Sequence, residues 1–312
     1  MDWDRLKTFY TVASLGSLSA AEQVLHITQS ALSRQISQLE HEMKMRLFER
    51  HSRGLKLTEA GNMLFPTVER VYLELIAAHV TLTERRDLAE GDLTVITQRG
   101  FGSFWLIPYL EEFRKRYPAI NLSLISDEHA DTNHTLQEGV YVQISTYSAR
   151  PGSGFISHHL CSYRRYFFGG KNYIAQHGAP SCVDEIDGHS LIGYSKSTFL
   201  PDEERAVNVL LYAGRPASKP RRCDFLVDDA HSNLVAMQNN LGLTATPFYL
   251  ARSVPEAVEI DIKGIPAEYL IPNSKYLVYP EYLKDFERIR VFKEFTQEKA
   301  ALLQAYERPI SA

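Results

Sequence analysis

A heptad seam in the first third of the chain is the feature that most constrains its fold. Apolar residues recur there at alternating steps of four and three, at Leu64, Val68, Val71, Leu75, Ala78 and Leu82. Thr58 can cap a helix of roughly 31 residues and about 46 Å that reaches Ala89. Such a helix needs a partner along its seam, most simply the same helix of a second subunit. Packing against its own domain is the alternative.

The residues before this helix, 1–58, show short helical patterns followed by an alternating run. Ser17 or Ser19 can cap the second helix, and Thr28 stands at the N-cap position of the third. Residues 48–57 alternate around a glycine and predict a β-hairpin. Two short helices joined by a tight turn predict a helix-turn-helix, whose second helix lies in the major groove of DNA.

The third helix has the composition that base recognition requires. Its apolar face consists of Leu32, Ile36 and Leu39. The predicted DNA contacts on its other side are small or neutral apart from one arginine: Thr28, Gln29, Ser30, Ser33, Arg34, Gln35, Ser37 and Gln38. Arginine can bind guanine and glutamine can bind adenine through two hydrogen bonds each. The alternative is a solvated amphipathic helix, which would more often carry Glu and Lys.

Charge favours DNA contact in this segment only. The whole chain has a net charge of −4, which excludes a general coat of positive charge. Between Thr28 and Thr58, six basic residues stand against three acidic ones, a local excess of three positive charges. Arg50, Arg53 and Lys56 lie on the predicted hairpin and fit a wing that touches the DNA backbone or minor groove.

After Gly91 the pattern changes to strands that alternate with helices. This alternation predicts βαβ units and a mostly parallel sheet. Gly100 and Gly102 suggest a loop, and Ser103 can cap the helix that follows. Residues 160–168 are predicted to form a single strand.

Other features exclude several classes of protein. Cys161, Cys182 and Cys223 are widely spaced and predict free thiols in a reducing compartment. The chain shows neither a signal-peptide pattern nor an apolar run long enough to span a bilayer, which predicts a cytoplasmic protein without membrane contact. No catalytic motif, metal-ligand spacing or dinucleotide fingerprint is evident, so we expect no catalytic centre, no metal and no cofactor.

A dense set of residues from Leu6 to Gly61 points to a known family. Its members are Leu6, Phe9, Val12, Gly16-Ser17, Ala20-Ala21, Leu25, residues 29–36, Leu39-Glu40, Leu47-Phe48, Arg50, Leu57-Thr58 and Gly61. In these positions the chain resembles the LysR-type transcriptional regulators. The remaining chain fits more loosely, through Pro108, Phe113, Tyr117-Pro118, Leu136, Gly139, residues 241–243 and Pro247.

The resemblance implies an α/β multidomain protein. It would have a winged helix-turn-helix DNA-binding domain at 1–58, a linker and dimerisation helix at 59–90, an effector-binding domain at 91–305 and a tail at 306–312. The effector domain would be of the periplasmic-binding-protein type, with lobe I at about 91–162 and 265–305 and lobe II at about 163–264. The resemblance further implies a homotetramer, a dimer of dimers, that binds double-stranded DNA and a small-molecule effector, and RNA polymerase if it is an activator.

Three positions depart from the family's pattern. Lys44 replaces a usual glycine before the wing, which changes that turn or adds a phosphate contact. Val142 stands where an Asp is frequent, so no role is assigned to an acid there. Asn240 also replaces a usual glycine, and it can keep the same helix end because asparagine tolerates the left-handed conformation.

The effector site is predicted from the geometry of α/β sheets, in which ligands bind beyond the carboxyl ends of the strands. The candidate residues are Thr97, Gln98, Gly100, Ser103, Ser126 and Thr146 from the first lobe and Tyr194, Ser195 and Thr246 from the second. Ser103 is predicted at a helix N-terminus, where free backbone N–H groups favour an anion. We therefore expect a small polar or anionic effector, although each of these residues could be an ordinary cap or loop residue.

A sequence-specific DNA-binding regulator is the leading interpretation. The alternative is a cytoplasmic solute-binding protein, or an enzyme, that carries a helical appendage. The heptad seam and the lack of a catalytic motif argue against both forms of the alternative.

Overall fold

The computed structural model describes residues 2–51, 54–127, 139–195 and 204–306. Its N-terminal part consists of α1 (Trp3–Leu15), α2 (Leu18–Leu25), α3 (Gln29–Met43), β1 (Phe48–His51) and β2 (Gly54–Leu57). The side chain of Ser17 accepts a hydrogen bond from the backbone of Ala20, so Ser17 rather than Ser19 caps α2. Thr28 caps α3 in the same way. The helix-turn-helix and the hairpin are therefore confirmed.

Two apolar clusters hold this N-terminal part together. One cluster joins α1, α2 and α3 through Val12, Ala21, Leu32 and Ile36. The other joins α1 and α3 to the next helix through Phe9, Tyr10, Leu39, Leu47, Val68 and Tyr72. Burying an aliphatic or aromatic side chain of this size contributes roughly 1.5–3 kcal/mol each, so the clusters fix the orientation of α3.

The linker helix α4 (Glu59–Thr83) has 25 residues, and the prediction that it reaches Ala89 is wrong. The backbone becomes extended at Glu84, whose side chain binds the guanidinium of Arg288. Arg288 also donates hydrogen bonds to the carbonyl oxygens of Glu90 and Asp92, at 3.1 and 3.0 Å. These contacts hold the chain after α4 against the effector domain, which ends the helix.

The predicted heptad seam of α4 divides between two faces. Val68 is buried and Leu64 is partly buried in the N-terminal cluster. Val71, Leu75 and Leu82 are 37%, 51% and 85% exposed, and Ala78 is exposed too. The face that packs on its own chain is instead formed by Val68, Tyr72, Ile76 and Val80. The alternative of packing within the chain thus holds for one side of α4, and an apolar stripe remains on the other.

The C-terminal part alternates strands and helices. Its strands are β3 (Gly91–Thr97), β4 (Ile120–Ser126), β5 (Tyr141–Ser145), β6 (Phe155–Tyr163), β7 (Arg165–Gly170), β8 (Ile192–Tyr194), β9 (Phe225–Val227), β10 (Leu243–Pro247), β11 (Ala257–Ile260) and β12 (Asn273–Pro280). Its α-helices are α5 (Arg99–Phe101), α6 (Ile107–Arg116), α7 (Lys171–His177), α8 (Glu204–Val207), α9 (Val209–Tyr212), α10 (Ala230–Gln238), α11 (Phe248–Ala251) and α12 (Glu287–Tyr306).

These strands form two lobes around separate sheets. Lobe I has the strand order β4-β3-β5-β12-β6, in which β3 is parallel to β4 and β5, and β12 is antiparallel to its neighbours. Lobe II has the antiparallel order β10-β7-β11 and a parallel pair β8-β9, connected by a bridge between Leu191 and Leu243. The expectation of a mostly parallel sheet therefore fits part of lobe I and is wrong for the main sheet of lobe II.

The chain crosses from lobe I to lobe II at Arg164. The predicted single strand over 160–168 is consequently two strands, because β6 pairs with β12 in lobe I whereas β7 pairs with β10 and β11 in lobe II. Both strands are apolar enough to look continuous in the sequence, and only their different partners separate them.

Residues 99–116 form a nearly continuous helix, with a π-helical turn (Gly102–Leu106) between α5 and α6. The two glycines are there for close packing rather than for a loop. A Cβ at Gly100 would lie 2.8 Å from Cβ of Ala230, and one at Gly102 would lie 2.9 Å from Cγ2 of Thr97. Ser103 is therefore inside the helix, and the prediction that it caps a helix N-terminus is wrong.

Candidate functional site

The polar face of α3 is exposed along its length. Leu32, Ile36 and Leu39 are buried beneath the helix, as predicted. Thr28, Gln29, Ser30, Arg34, Ser37 and Gln38 are exposed. Nothing in the described part of the chain covers this face, and Arg34, Ser37 and Gln38 line an open groove together with Arg5.

Two of the predicted contacts on α3 hold the helix in position. The side-chain oxygen of Gln35 accepts a hydrogen bond from the Thr8 hydroxyl of α1. Nε2 of Gln29 donates to Oγ of Ser19 in α2 at 2.7 Å, although Gln29 remains exposed. Gln35 and Ser33 are only half-exposed, so both are less available to a duplex than Arg34.

A buried carboxylate that the sequence analysis did not single out fixes the wing. Glu40 is 8% exposed and accepts hydrogen bonds from the backbone N–H groups of Leu47 and Phe48, at 2.8 and 3.2 Å. Arg46 donates a third at 3.1 Å. A carboxylate that accepts several bonds holds the chain between α3 and β1 tightly. Its only signal in the sequence is its position directly after Leu39 on the buried side of α3.

The structure describes the side chains of only some of the basic residues around the wing. Lys44 ends α3 with a φ of +57°, in the left-handed region that favours glycine, and its side chain is exposed. Lys56 lies in β2 and is exposed. Arg50 belongs to β1, but its side chain lies outside the described residues, as does Arg53 altogether.

A small cavity of about 60 Å³ lies between the lobes. It is lined by Gln98, Gly100, Phe101, Tyr163, Arg165, Tyr194, Asp228, Asp229, Ala230, Pro247, Tyr249 and Leu250. Of the predicted effector residues, only Gln98, Gly100 and Tyr194 are in this lining. The volume is enough for about two water molecules, so the cleft is closed in this structure.

The four remaining candidates of lobe I are not in the cavity lining: Thr97, Thr146, Ser126 and Ser103. Thr97 is fully buried and its hydroxyl donates to the carbonyl of Ile144 at 3.2 Å. Thr146 accepts a hydrogen bond from Nζ of Lys275 at 2.8 Å. Ser126 is exposed at the end of β4, and Ser103 lies in the π-helical turn.

The two remaining candidates of lobe II also lie outside the cavity lining. The backbone N–H of Ser195 donates to the carbonyl of Val227 at 2.7 Å. Thr246 is fully buried, and its hydroxyl has no hydrogen-bond partner among the described residues. Thr246 directly precedes Pro247, which does line the cavity.

Two cations that the sequence analysis missed stand at the cleft, one on each lobe. Arg165 begins β7 and lines the cavity, with its guanidinium 5.9 Å from the ring centre of Tyr194. Its buried Nε has no hydrogen-bond partner among the described residues. Lys275 of β12 is 1% exposed, donates to Gln98 and Thr146, and lies 5.7 Å from the ring centre of Phe101. The sequence shows both as strand residues only.

The carboxylate of Asp229, which lines the cleft, accepts its hydrogen bonds from the first turn of its own helix. Asp229 caps α10 and accepts hydrogen bonds from the backbone of His231 and from Ser232. Burial raises the pKa of Asp229, but these hydrogen bonds outweigh the burial and the pKa lies below its usual value. Asp229 is therefore ionised and committed to the helix, whereas Arg165 keeps a free donor.

Metal-ligand clusters and membrane-spanning helices are absent from the described residues. No three His, Cys, Asp or Glu side chains come together there in a way that could hold a metal ion. None of the helices in those ranges has the length and apolar character to cross a membrane.

Comparisons with known proteins give the family of both parts of the chain. Residues 3–62 match the model of the bacterial regulatory helix-turn-helix proteins of the lysR family, and residues 86–301 match that of the LysR substrate binding domain. The transcriptional regulator CrgA of Neisseria meningitidis is 30% identical over 193 residues, which are 62% of this chain and 64% of CrgA. The alignment thus spans slightly less than two thirds of that relative.

Solved structures show the same fold at lower identity. The structure of CrgA superposes with a TM-score of 0.54 at 23% identity and covers 96% of this chain and 99% of CrgA. The full-length structure of AphB, a virulence activator of Vibrio cholerae, gives a TM-score of 0.56 at 20% identity, with 95% and 98% covered.

Proposed function

Because the chain belongs to the LysR family of bacterial regulatory helix-turn-helix proteins, we propose that it is a sequence-specific DNA-binding regulator of transcription controlled by a small anionic ligand in the interlobe cleft. The observation that carries the proposal is the exposed polar face of α3 on a rigidly packed helix-turn-helix. Its alternative, a solute-binding protein or enzyme with a helical appendage, gives no reason for such a face.

Base recognition falls to the exposed side chains of α3. Arg34 can donate two hydrogen bonds to a guanine, and Gln38 can bind an adenine. The serines and Thr28 are short enough to reach phosphates. Lys44 and Lys56, with Arg50 and Arg53 of the wing, would supply the contacts to the backbone that do not depend on sequence.

The exposed stripe of α4 supports dimerisation through Val71, Leu75, Ala78 and Leu82. A pair of these helices would deliver two copies of α3 to one duplex, so the two half-sites would be separated by whole helical turns. Two such dimers would form the tetramer. If the ligand-bound form activates transcription, RNA polymerase is a further partner.

The cleft supports an anionic ligand because Arg165 lines it and Lys275 lies behind its lining, in contact with Gln98 and Phe101. Arg165 offers a buried N–H without a partner, and the hydroxyl of Thr246 is unpaired nearby. Since the closed cavity holds only about two waters, a metabolite can enter only if the lobes move apart. A ligand that binds one lobe arrangement better shifts the population towards it and changes how the dimers are placed on DNA.

The experiment is a selection of bound duplexes from a random library by the full chain, followed by binding measurements on the selected site. We expect paired half-sites, and a change of affinity or of DNA bending with a small carboxylate that is lost in Arg165→Gln. Binding that shows no preference for the selected site over random duplex would contradict the DNA-reading part. A response to amines or neutral compounds and to no carboxylate would contradict the anionic ligand.

A further inference from the structure

A second cavity, of about 700 Å³, lies between α4 and lobe I. One wall is α4 from Pro66 to Thr81, and the other consists of residues 152–154 and 281–285 of the effector domain. It shares no lining residue with the interlobe cavity. Its volume is in the range of about 300–1,000 Å³ that is usual for sites of small organic ligands. It is thus a ligand-sized space where the DNA-binding part meets the effector domain.

Three side chains in the wall of this cavity carry a buried oxygen with no hydrogen-bond partner. The atoms are Oε1 of Glu69, Oγ of Ser153 and the hydroxyl of Tyr282. The described part of the chain has nine such buried polar atoms, so a third of them belong to this one cavity. Buried polar atoms are normally paired, and a cluster of unpaired ones calls for an absent group. The three residues that carry these oxygens all line the same cavity, so a group bound there is the nearest candidate partner for them.

All three oxygens can accept hydrogen bonds, so they suit a ligand group that donates them. A carboxylate only accepts hydrogen bonds, and both hydroxyls can accept as well. Burial raises the pKa of Glu69, and the charge of Arg150 opposes this shift. A primary ammonium brings three N–H donors and the opposite charge. Four acids line the cavity (Glu69, Glu74, Glu281 and Asp285) against three cations (Arg70, Arg86 and Lys284), and Lys284 is paired with Glu281.

Besides Glu69, the α4 wall has three polar residues, Arg70, Glu74 and Thr81, and an apolar part. Pro66, Leu73 and Ala77 line the same cavity as Glu69. We propose that this cavity is a second ligand site and that it takes a primary amine with an apolar body, whose ammonium group is bound by Glu69, Ser153 and Tyr282. A ligand there contacts α4 and lobe I at once, so it favours one placement of the DNA-binding part. That regulatory consequence rests on the proposed function, whereas the binding itself does not.

The experiment is calorimetric titration of the full chain with 2-phenylethylamine as the probe. 3-Phenylpropionate and 2-phenylethanol are matched controls of similar shape without the positive charge. We expect saturable binding of the amine only. The Glu69→Gln variant, which keeps the shape of the side chain, should weaken this binding at least about tenfold through loss of a charge-assisted hydrogen bond. Glu111→Gln, at an exposed glutamate of α6, should leave it unchanged.

Two further variants keep the test decisive. Ala77→Met fills the α4 wall without altering a polar group and should also weaken binding of the amine. Arg165→Gln, in the interlobe cleft, should not. The proposal is overturned if the amine gives no saturable heat, if the acid or the alcohol binds equally well, or if Glu69→Gln binds like the unaltered chain. If only Arg165→Gln abolishes binding, the amine sits in the interlobe cleft, and the second site is refuted independently of DNA binding.

Discussion

The polar face of α3 and the interlobe cleft are assembled in different ways. Every side chain of the α3 face comes from one helix of 15 residues, and the face is open to solvent. The cleft brings together residues from both lobes that are as far apart in the chain as Gln98 and Leu250, and it is narrow. The first surface is ready for a rigid partner such as a duplex, whereas the second must change shape before a ligand can enter.

The difference teaches where regulation can act. The α3 face depends on local packing by Leu32 and Ile36 and on the fixed wing turn at Glu40, so it moves as one body. The cleft depends on how two lobes meet, for example where Gly100 packs so closely on Ala230 that it leaves no room for a side chain. A ligand in the cleft therefore changes the placement of the α3 faces without remodelling them.

The largest effect should come from disrupting the helix that joins the two regions. Leu75→Asp places a charge in the exposed apolar stripe of α4 and should convert a dimer to monomers. Because two linked DNA-binding parts gain affinity from each other, DNA affinity should fall roughly 100-fold or more. Analytical ultracentrifugation and fluorescence anisotropy measure both quantities. Glu74→Gln, on the same turn but outside the stripe, is the control, and a Leu75→Asp protein that stays dimeric would refute the interface.

A smaller effect should be confined to the cleft. Arg165→Gln removes the cation that lines the cavity and should weaken binding of a responsive carboxylate about tenfold, while basal DNA affinity stays the same. Thermal unfolding with and without the carboxylate measures the change. Arg114→Gln, at an exposed position of α6, is the matched control. An unchanged thermal shift in Arg165→Gln would separate the ligand from this cleft.

At the wing, stability and DNA affinity should change in opposite directions. Lys44 adopts a left-handed φ that costs an L-residue roughly 1–2 kcal/mol, and part of this is offset by the greater chain entropy of glycine when unfolded. Lys44→Gly should therefore stabilise the protein by up to about 1 kcal/mol. It should also weaken binding to all duplexes alike and reduce the salt slope by about one unit. Chemical denaturation and salt titrations test the two parts, and a loss of stability would contradict the left-handed turn.

The smallest effect should be the pH dependence of the effector domain. Burial lowers the pKa of His158 and of His189 below 6.5, with Lys293 and His177 respectively acting in the same direction. The unfolded chain then binds protons first as the pH falls below 6.5, so the free energy of unfolding should decrease over that range. His158→Gln should flatten this dependence in pH-resolved denaturation. A slope of the opposite sign would contradict the buried neutral imidazoles.

The two surfaces also differ in how far the sequence could predict them. For α3, the cap at Thr28, the buried Leu32 and Ile36 and the polar positions between them are all local signals, and the helix and its exposed face follow from them. The hydrogen bond between Gln35 and Thr8 could not be predicted in this way, because Thr8 lies on another helix.

The cleft could be predicted only as a location. The end of β3 predicts a position for Gln98 and Gly100 at the cleft, and both line the cavity. The lining also includes Arg165 and Asp229, whose positions depend on where the chain changes lobes. The predicted helix cap at Ser103 is wrong because Gly100 and Gly102 lie inside a helix, where they allow close packing. In the sequence, such glycines look the same as those of a loop. The predicted length of α4 is wrong for a related reason. The helix ends where Glu84 contacts Arg288, and these two residues are far apart in the chain.

The most direct test of the account is the discrimination of Arg34→Ala between the selected duplex and a random duplex at one salt concentration. The account predicts that affinity for the selected site falls by about 1–3 kcal/mol, while affinity for random duplex changes little. An equal loss on both duplexes would make Arg34 a backbone contact only. Unchanged binding on both would show that the exposed face of α3 does not read DNA.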